Sequence, residues 1–227
     1  MCEPRESVPL ETRILSRNDR TAAHNREHFL DHGIFAINLM GSPGSGKTAV
    51  LEATARAFQD GRRLAAMAGD LATDNDASRL QRAGIRSRAI TTGQACHLDA
   101  DMVHHELHSF PLDGVEYFFI ENVGNLVCPA VYDLGQNANV VCLAITEGED
   151  KPLKYPTMFA KADAVLLTKM DLLPHLSVDI AAIYDALAHV MPKRVVIPMA
   201  STANGGVDDW ITWLQQQHAA MPEPVLA

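Results

Sequence analysis

Long apolar runs are missing from this 227-residue chain, and none approaches the ~18 residues that a membrane-crossing helix requires. The opening stretch, MCEPRESVPLETRILSRNDR, lacks the apolar centre of a signal peptide, so a soluble, cytoplasmic protein is expected. Basic charge is scarce: 19 Lys and Arg against 28 Asp and Glu leave a formal charge of −9. A broad nucleic-acid or anionic-membrane surface is thereby excluded, while a local basic site is not. Cysteine is limited to Cys2, Cys96, Cys128 and Cys142, with no CxxC pair. Four such residues in a reducing compartment do not make a disulfide framework and are read as core thiols, ligands or nucleophiles. Internal repeats, coiled-coil heptads and Gly/Ser-rich linkers are also lacking, which leaves one α/β-sized domain.

What is present is an alternation of short apolar runs and longer amphipathic stretches. Strands are expected at IFAINLM from Ile34, RLAAMAG from Arg63, IRSRAITT from Ile85, YFFI from Tyr117, VVCLAI from Val140, AVLLT from Ala164 and VVIPM from Val195. Helices are expected over Lys47–Gln59, Asn75–Arg82, Leu98–His108 and Val207–Gln217. This order predicts βαβ units: an α/β fold whose mainly parallel sheet is covered by helices on both faces. Residues 1–33 read as a partly helical N-terminal appendage, 34–220 as the domain and 221–227 as a tail.

Gly41-Ser42-Pro43-Gly44-Ser45-Gly46-Lys47-Thr48 fits GxxxxGK[ST] between an apolar strand and an amphipathic helix. Backbone N–H groups of such a loop close around phosphates, with Lys47 reaching the outer ones and the Thr48 hydroxyl ligating Mg²⁺. Thr168-Lys169-Met170-Asp171 follows the strand AVLLT where a guanine-reading [NT]KxD loop belongs. A carboxylate at Asp171 accepts from the ring N–H and exocyclic amine of guanine, which favours GTP, although a plain charged turn has the same four residues. Thr168 replaces the commoner Asn, so one polar contact is altered, and the strictness of guanine selectivity is left open by the motif. Ser201, after the last strand, is a looser candidate for base contact. Acidic groups for magnesium and water activation belong at strand ends on the P-loop edge. Asp70 and Glu121 stand there, whereas Asp74 and Asp76 read as caps of the next helix. No arginine is assigned to the reaction in cis, so slow hydrolysis is expected.

Cys96-His97 precedes a helix, and Cys128 lies seven residues beyond Glu121 on a loop leaving the same edge. Two thiolates and an imidazole suit Zn²⁺ or Ni²⁺, though two structural thiols fit the spacing too. Asp101 is an outside candidate for a fourth ligand. Cys142 reads as core, and His104 and His108 as a solvated polar face.

With GSPGSGKT, TTGQACHLDADMV from Thr91 and IENVGNLVCPAVYDLG from Ile120 in hand, the sequence resembles the HypB family of nickel-insertion GTPases over about residues 34–215. The resemblance implies a P-loop GTPase that dimerises around nucleotide, with Cys96, His97 and Cys128 as its metal site. It further implies a nickel-donating zinc accessory protein and the nickel-iron hydrogenase large-subunit precursor as partners. Cys2 and scattered histidines do not reproduce the Cys-rich or His-rich N-termini of other members, so high-capacity nickel storage is not expected. The other readings weighed are a urease-type accessory GTPase and a metal-binding protein with vestigial hydrolysis.

Overall fold

The computed structural model describes residues 10–59, 63–71, 73–93, 95–193, 195–201 and 205–222. Cys2 and Thr202 lie outside them. Along the chain come α1 (Leu10–Asp31), β1 (Phe35–Gly41), α2 (Lys47–Phe58), β2 (Leu64–Asp70), α3 (Asn75–Arg82), β3 (Arg86–Thr91), α4 (Ala100–Leu107) and β4 (Tyr117–Glu121). They are followed by β5 (Ala138–Ala144), α5 (Lys151–Lys154), α6 (Pro156–Ala160), β6 (Ala164–Thr168), α7 (Ile180–Val190), β7 (Val196–Pro198) and α8 (Val207–Ala219).

The strands form one seven-stranded parallel sheet in the order β3-β2-β4-β1-β5-β6-β7. β1 and β4 are buried at every position, as strands covered on both faces must be. Their alternate side chains divide the core. Phe35, Ile37 and Leu39 pack with Leu51 of α2, Leu80 of α3 and Trp210 of α8. Ala36 and Phe118 face Phe29 of α1 and Val103 of α4, while Val141 and Val165 meet Phe159 of α6 and Ile183 of α7. β1 lies between β4 and β5, so the loops leaving β1, β2 and β4 converge on one crevice at the carboxyl edge.

The segment expected as an appendage contributes to the core: Ala22, Asn25 and Phe29 of α1 are fully buried. Asn25 donates to the carbonyls of Ala100 and Leu134 at 3.0 and 3.1 Å, and Arg26 pairs with Asp133 at 2.6 Å. α4 starts two residues later than expected because the Asp99 carboxylate caps it, accepting from Met102 N at 2.8 Å. α5, α6 and α7 were not expected. Leu172 and Leu173 lie in a 3-10 turn (Met170–His175), and the α-helix that follows begins only at Ile180, capped by Asp179. No helix among the described residues is long and apolar enough to cross a membrane.

Candidate functional site

β1 ends in the phosphate loop, and Gly46 takes a left-handed backbone (φ 96°) at the N-terminus of α2, aiming the helix's free N–H groups into the crevice. Lys47 is nearly buried, its ammonium donating to the carbonyls of Ser42 at 3.2 Å and Gly41 at 3.4 Å. A triphosphate offers that ammonium charged oxygens instead of neutral carbonyls, so the lysine is held ready close to its working position. Ser42 Oγ donates to Glu147 Oε2 at 2.5 Å, and Glu147 Oε1 accepts from Ala144 N. Glu147 therefore braces the loop from the end of β5, 105 residues away in sequence, a contact with no local signal.

Thr48, Asp76 and Glu121 form a tight acidic cluster. Thr48 Oγ1 lies 2.7 Å from Glu121 Oε1 and 2.9 Å from Asp76 Oδ1. One hydroxyl has one proton and cannot donate to both at once. Glu121 is 3 % exposed, and burial pushes its carboxyl up to about 7, against the opposing effects of the Thr48 hydroxyl and the Lys47 ammonium. A protonated Glu121 donating to Thr48, which donates to Asp76, satisfies the chain. Glu121 Oε2 and Ser45 Oγ remain buried without a hydrogen-bond partner among the described residues. An orphaned carboxylate oxygen beside a threonine hydroxyl and a second carboxylate is the hard, oxygen-only donor set that Mg²⁺ takes, so these residues fit the ion. Asp70, at the end of β2, lines the same cleft of about 260 Å³ with Gly44, Lys47, Asp76, Glu121 and Gly124. Its Oδ1 accepts from Thr73 N.

Asp74 and Asp76, expected as caps of α3, do not cap it with their side chains. Asp74 occupies the N-cap of α3 without a side-chain capping bond, and Asp76 turns to Thr48. A first-turn acid satisfies a helix N-terminus and a distant hydroxyl equally well on paper. Only the tertiary approach of α3 to α2 decides, and Arg79 of α3 secures it by pairing with Glu52 of α2 at 2.9 Å.

On the other flank, Thr168 Oγ1 donates to Ser45 O at 2.6 Å and is 1 % exposed. The threonine thus ties the end of β6 to the phosphate loop. Lys169 adopts a left-handed backbone (φ 61°) that turns the chain into the 3-10 helix, with Asp171 in its first turn and partly exposed. Met170 N donates to Met199 O at 3.2 Å, drawing this loop toward Ser201, whose carbonyl accepts from Arg56.

The third set lies where the β3–α4 and β4–β5 connections meet. Cys96 Sγ is 3.2 Å from Cys128 Sγ and 3.8 Å from His97 Nδ1, and the three donors lie within 4.8 Å of one another. Burial holds the His97 imidazole below its ordinary range, against the opposing effect of Asp99, and the ring stacks on Tyr132 at 4.0 Å. The contact with Cys96, with burial adding to it, raises the Cys128 thiol above its ordinary range. Asp101 is engaged elsewhere, accepting from Thr21 and pairing with Arg17, and stands outside the cluster. Cys142 is buried in β5, its thiol pushed up to about 12.

Two amides join these sets. Asn122 Oδ1 accepts from Leu98 N at 3.1 Å, and Asn125 Nδ2 donates to Cys96 O at 3.2 Å. Asn125 N also donates to Gly41 O at 3.1 Å. A side chain on Gly124 would meet Pro43 backbone at 2.8 Å, so the loop rests directly on the phosphate loop. One seven-residue path, Glu121 to Cys128, touches magnesium-competent, phosphate-binding and thiol groups in turn. Sequence reasoning noticed the short path but not Asn125, because an asparagine in a loop carries no signal for its remote partners.

Residues 35–198 match the CobW/HypB/UreG nucleotide-binding domain. The hydrogenase maturation factor HypB of Azotobacter vinelandii is 48% identical over 210 residues, covering 92% of this chain and 69% of the relative. Among solved structures, HypB from Helicobacter pylori in complex with nickel superposes with a TM-score of 0.84 at 37% identity, covering 89% of this chain and 95% of the other. HypB from Archaeoglobus fulgidus gives 0.82 at 36% identity, covering 90% and 100%.

Proposed function

The chain belongs to the HypB hydrogenase maturation factors, P-loop GTPases of the CobW/HypB/UreG family, and from that premise we propose how its residues divide the work of a nickel metallochaperone. Guanine is read by Asp171, with Lys169 and Ser201 beside the base, while Thr168 fastens this loop to the phosphate loop. Gly41, Ser42, Gly44, Ser45 and Gly46 wrap the phosphates, and Lys47 stabilises the charge that develops on the transferred group. Thr48, Glu121 and Asp76, with Asp70 at the same cleft, would hold Mg²⁺, which supplies neutralising charge between the phosphates. Asp70 orients the attacking water. Arg79 is engaged with Glu52, and hydrolysis by the isolated chain is slow.

Cys96, His97 and Cys128 hold nickel as cargo, with zinc as a competitor for the same donors. The observation that carries this reading is Asn125, which bonds the phosphate loop through its backbone and the Cys96 carbonyl through its side chain. Movement of the loop on loss of the third phosphate therefore alters the thiol geometry and gives direction to metal release. The nickel-iron hydrogenase large-subunit precursor receives the metal and a zinc-containing accessory protein supplies it. A homodimer forms on the nucleotide side, and the setting is the cytoplasm. Substituting Cys96→Ala or Cys128→Ala tests the assignment: each removes nickel binding at this site while GTP affinity stays unchanged. Unaltered nickel stoichiometry in both variants would exclude the thiol set.

A further inference from the structure

A second group of metal-competent side chains stands between α1 and the last turn of α4. His24, His104 and His108 place one ring nitrogen each within 4.8 Å of one another, and His28 joins them around a cavity of about 10 Å³. That space holds one water or one ion and little else.

The buried Asn25 fixes the chemistry of this pocket. Its amide nitrogen donates to the carbonyls of Ala100 and Leu134, which settles the amide's orientation and makes Oδ1 the acceptor for His104 Nδ1 at 3.0 Å. His104 therefore carries its proton on Nδ1 and presents an Nε2 lone pair toward His108 Nε2, 2.9 Å away. A ring nitrogen oriented by a protein oxygen on its far side is the arrangement that metal-binding imidazoles adopt. Two nitrogens about 2.0–2.1 Å from one ion stand about 2.8–3.4 Å apart at bond angles between square and tetrahedral, and the observed separation lies in that interval. The His24 and His104 rings are 5.0 Å apart, close enough to share a ligand.

We propose that His24, His104 and His108 form a second divalent transition-metal site, separate from the Cys96, His97 and Cys128 set, with His28 as a further imidazole donor. Its all-nitrogen character selects borderline ions such as Ni²⁺ or Zn²⁺ over Mg²⁺. When the ion enters, His108 takes the Nδ1–H tautomer and both Nε2 lone pairs turn to the metal. Burial, with the nearby imidazoles of His108 and His24, holds His104 below its ordinary range, and burial with His32, His108 and His24 does the same for His28. The carbonyl end of α4 adds favourable potential for a cation. The two metal sets bracket one eight-residue helix, His97 before it and His104 in its last turn, although the inference stands whether or not the thiol set holds nickel.

The test is equilibrium dialysis of the untagged full chain against Ni²⁺ in a Cys96→Ala, Cys128→Ala background. One ion per chain should remain, and adding His24→Gln with His104→Gln should remove it. In the otherwise unmodified chain the same two histidine substitutions should lower the stoichiometry by one and leave thiolate-to-nickel charge-transfer absorption intact. GTP binding reports folding in every variant. As a check that needs no variant, diethyl pyrocarbonate modification of the unmodified protein should spare His24, His104 and His108 when Ni²⁺ is added, while the exposed His105 reacts as before. No retained ion in the cysteine-free background, stoichiometry indifferent to the histidine pair, or equal reactivity of the four histidines would each overturn the proposal.

Discussion

Replacing Glu121 by Gln removes a charge that folding buries, and the consequence can be worked through before any nucleotide is added. Burial pushes the carboxyl from an ordinary value near 4.5 up to about 7. Below pH 4.5 the group is protonated in folded and unfolded chains alike and has no effect on stability through ionisation. As pH rises the unfolded chain ionises first, so the folded state loses stability steadily until its own carboxyl ionises near 7, and the loss is constant above that. At 1.36 kcal/mol per pKa unit the full penalty is about 3 kcal/mol, with about 2.5 kcal/mol falling between pH 5 and pH 8. The Glu121→Gln chain keeps the shape and a partner for Thr48 but has no charge to bury. Urea unfolding of both proteins without magnesium or nucleotide, at several pH values across this window, isolates the effect from all other titrating groups. The stability of the unmodified chain should fall relative to the variant by about 2.5 kcal/mol from pH 5 to pH 8. With Mg²⁺ and a GTP analogue present the order should reverse, because the cation stabilises the carboxylate that the variant lacks. Parallel stability profiles for the two apo proteins would refute the claim that Glu121 is strained by desolvation and relieved by the ion.

Three further outcomes follow from the same geometry. Asp171→Asn should weaken GTP binding roughly hundredfold, from the loss of about 3 kcal/mol of charge-assisted bonding, and improve xanthosine triphosphate binding; titration with both nucleotides checks it, and unchanged GTP affinity would remove Asp171 from the base site. Asp76→Ala should lower magnesium affinity by about 10–100-fold, as loss of a group supporting a metal site does, whereas Asp74→Ala should leave it unchanged; equal effects would return both to a capping role. Leu172 and Leu176, 36% and 39% exposed just beyond Asp171, should weaken the nucleotide-bound dimer when both are changed to Glu, as measured by sedimentation equilibrium with GTP analogue; an unaltered dimer of folded protein would place the contact elsewhere.

The features legible in the sequence are those whose cause is local. A glycine-rich turn between an apolar run and an amphipathic helix carries its own explanation, so GSPGSGKT could be placed and the parallel sheet deduced around it. The tight spacing from Glu121 to Cys128 likewise put a buried carboxylate and a thiol on one loop. What escaped depends on distant approach. Asp76 meets Thr48 across 28 positions, Glu147 meets Ser42 across 105, and His24 meets His104 across 80, none of which leaves a periodicity. α7 escaped although Ile183, Ala186 and Leu187 form a buried stripe at helical spacing, because its cap at Asp179 follows an irregular turn that hides where the helix begins. The N-terminal helix was underestimated because its few buried groups, Ala22, Asn25 and Phe29, are diluted among charged residues on its outer face.

Coupling between the nucleotide and the thiol set is the centre of the account, and the nickel dissociation constant of the unmodified chain in three states, apo, GDP·Mg²⁺ and GTP analogue·Mg²⁺, tests it most directly. Coupling free energies are typically about 1–3 kcal/mol, so the constants should differ between the two nucleotide states by about 5–150-fold. The same measurement on Asn125→Ala, which keeps all three ligands but cuts the side-chain link to Cys96, should show the difference shrinking toward unity. Identical nickel affinities in all three states of the unmodified chain would contradict the account, even with every ligand correctly named.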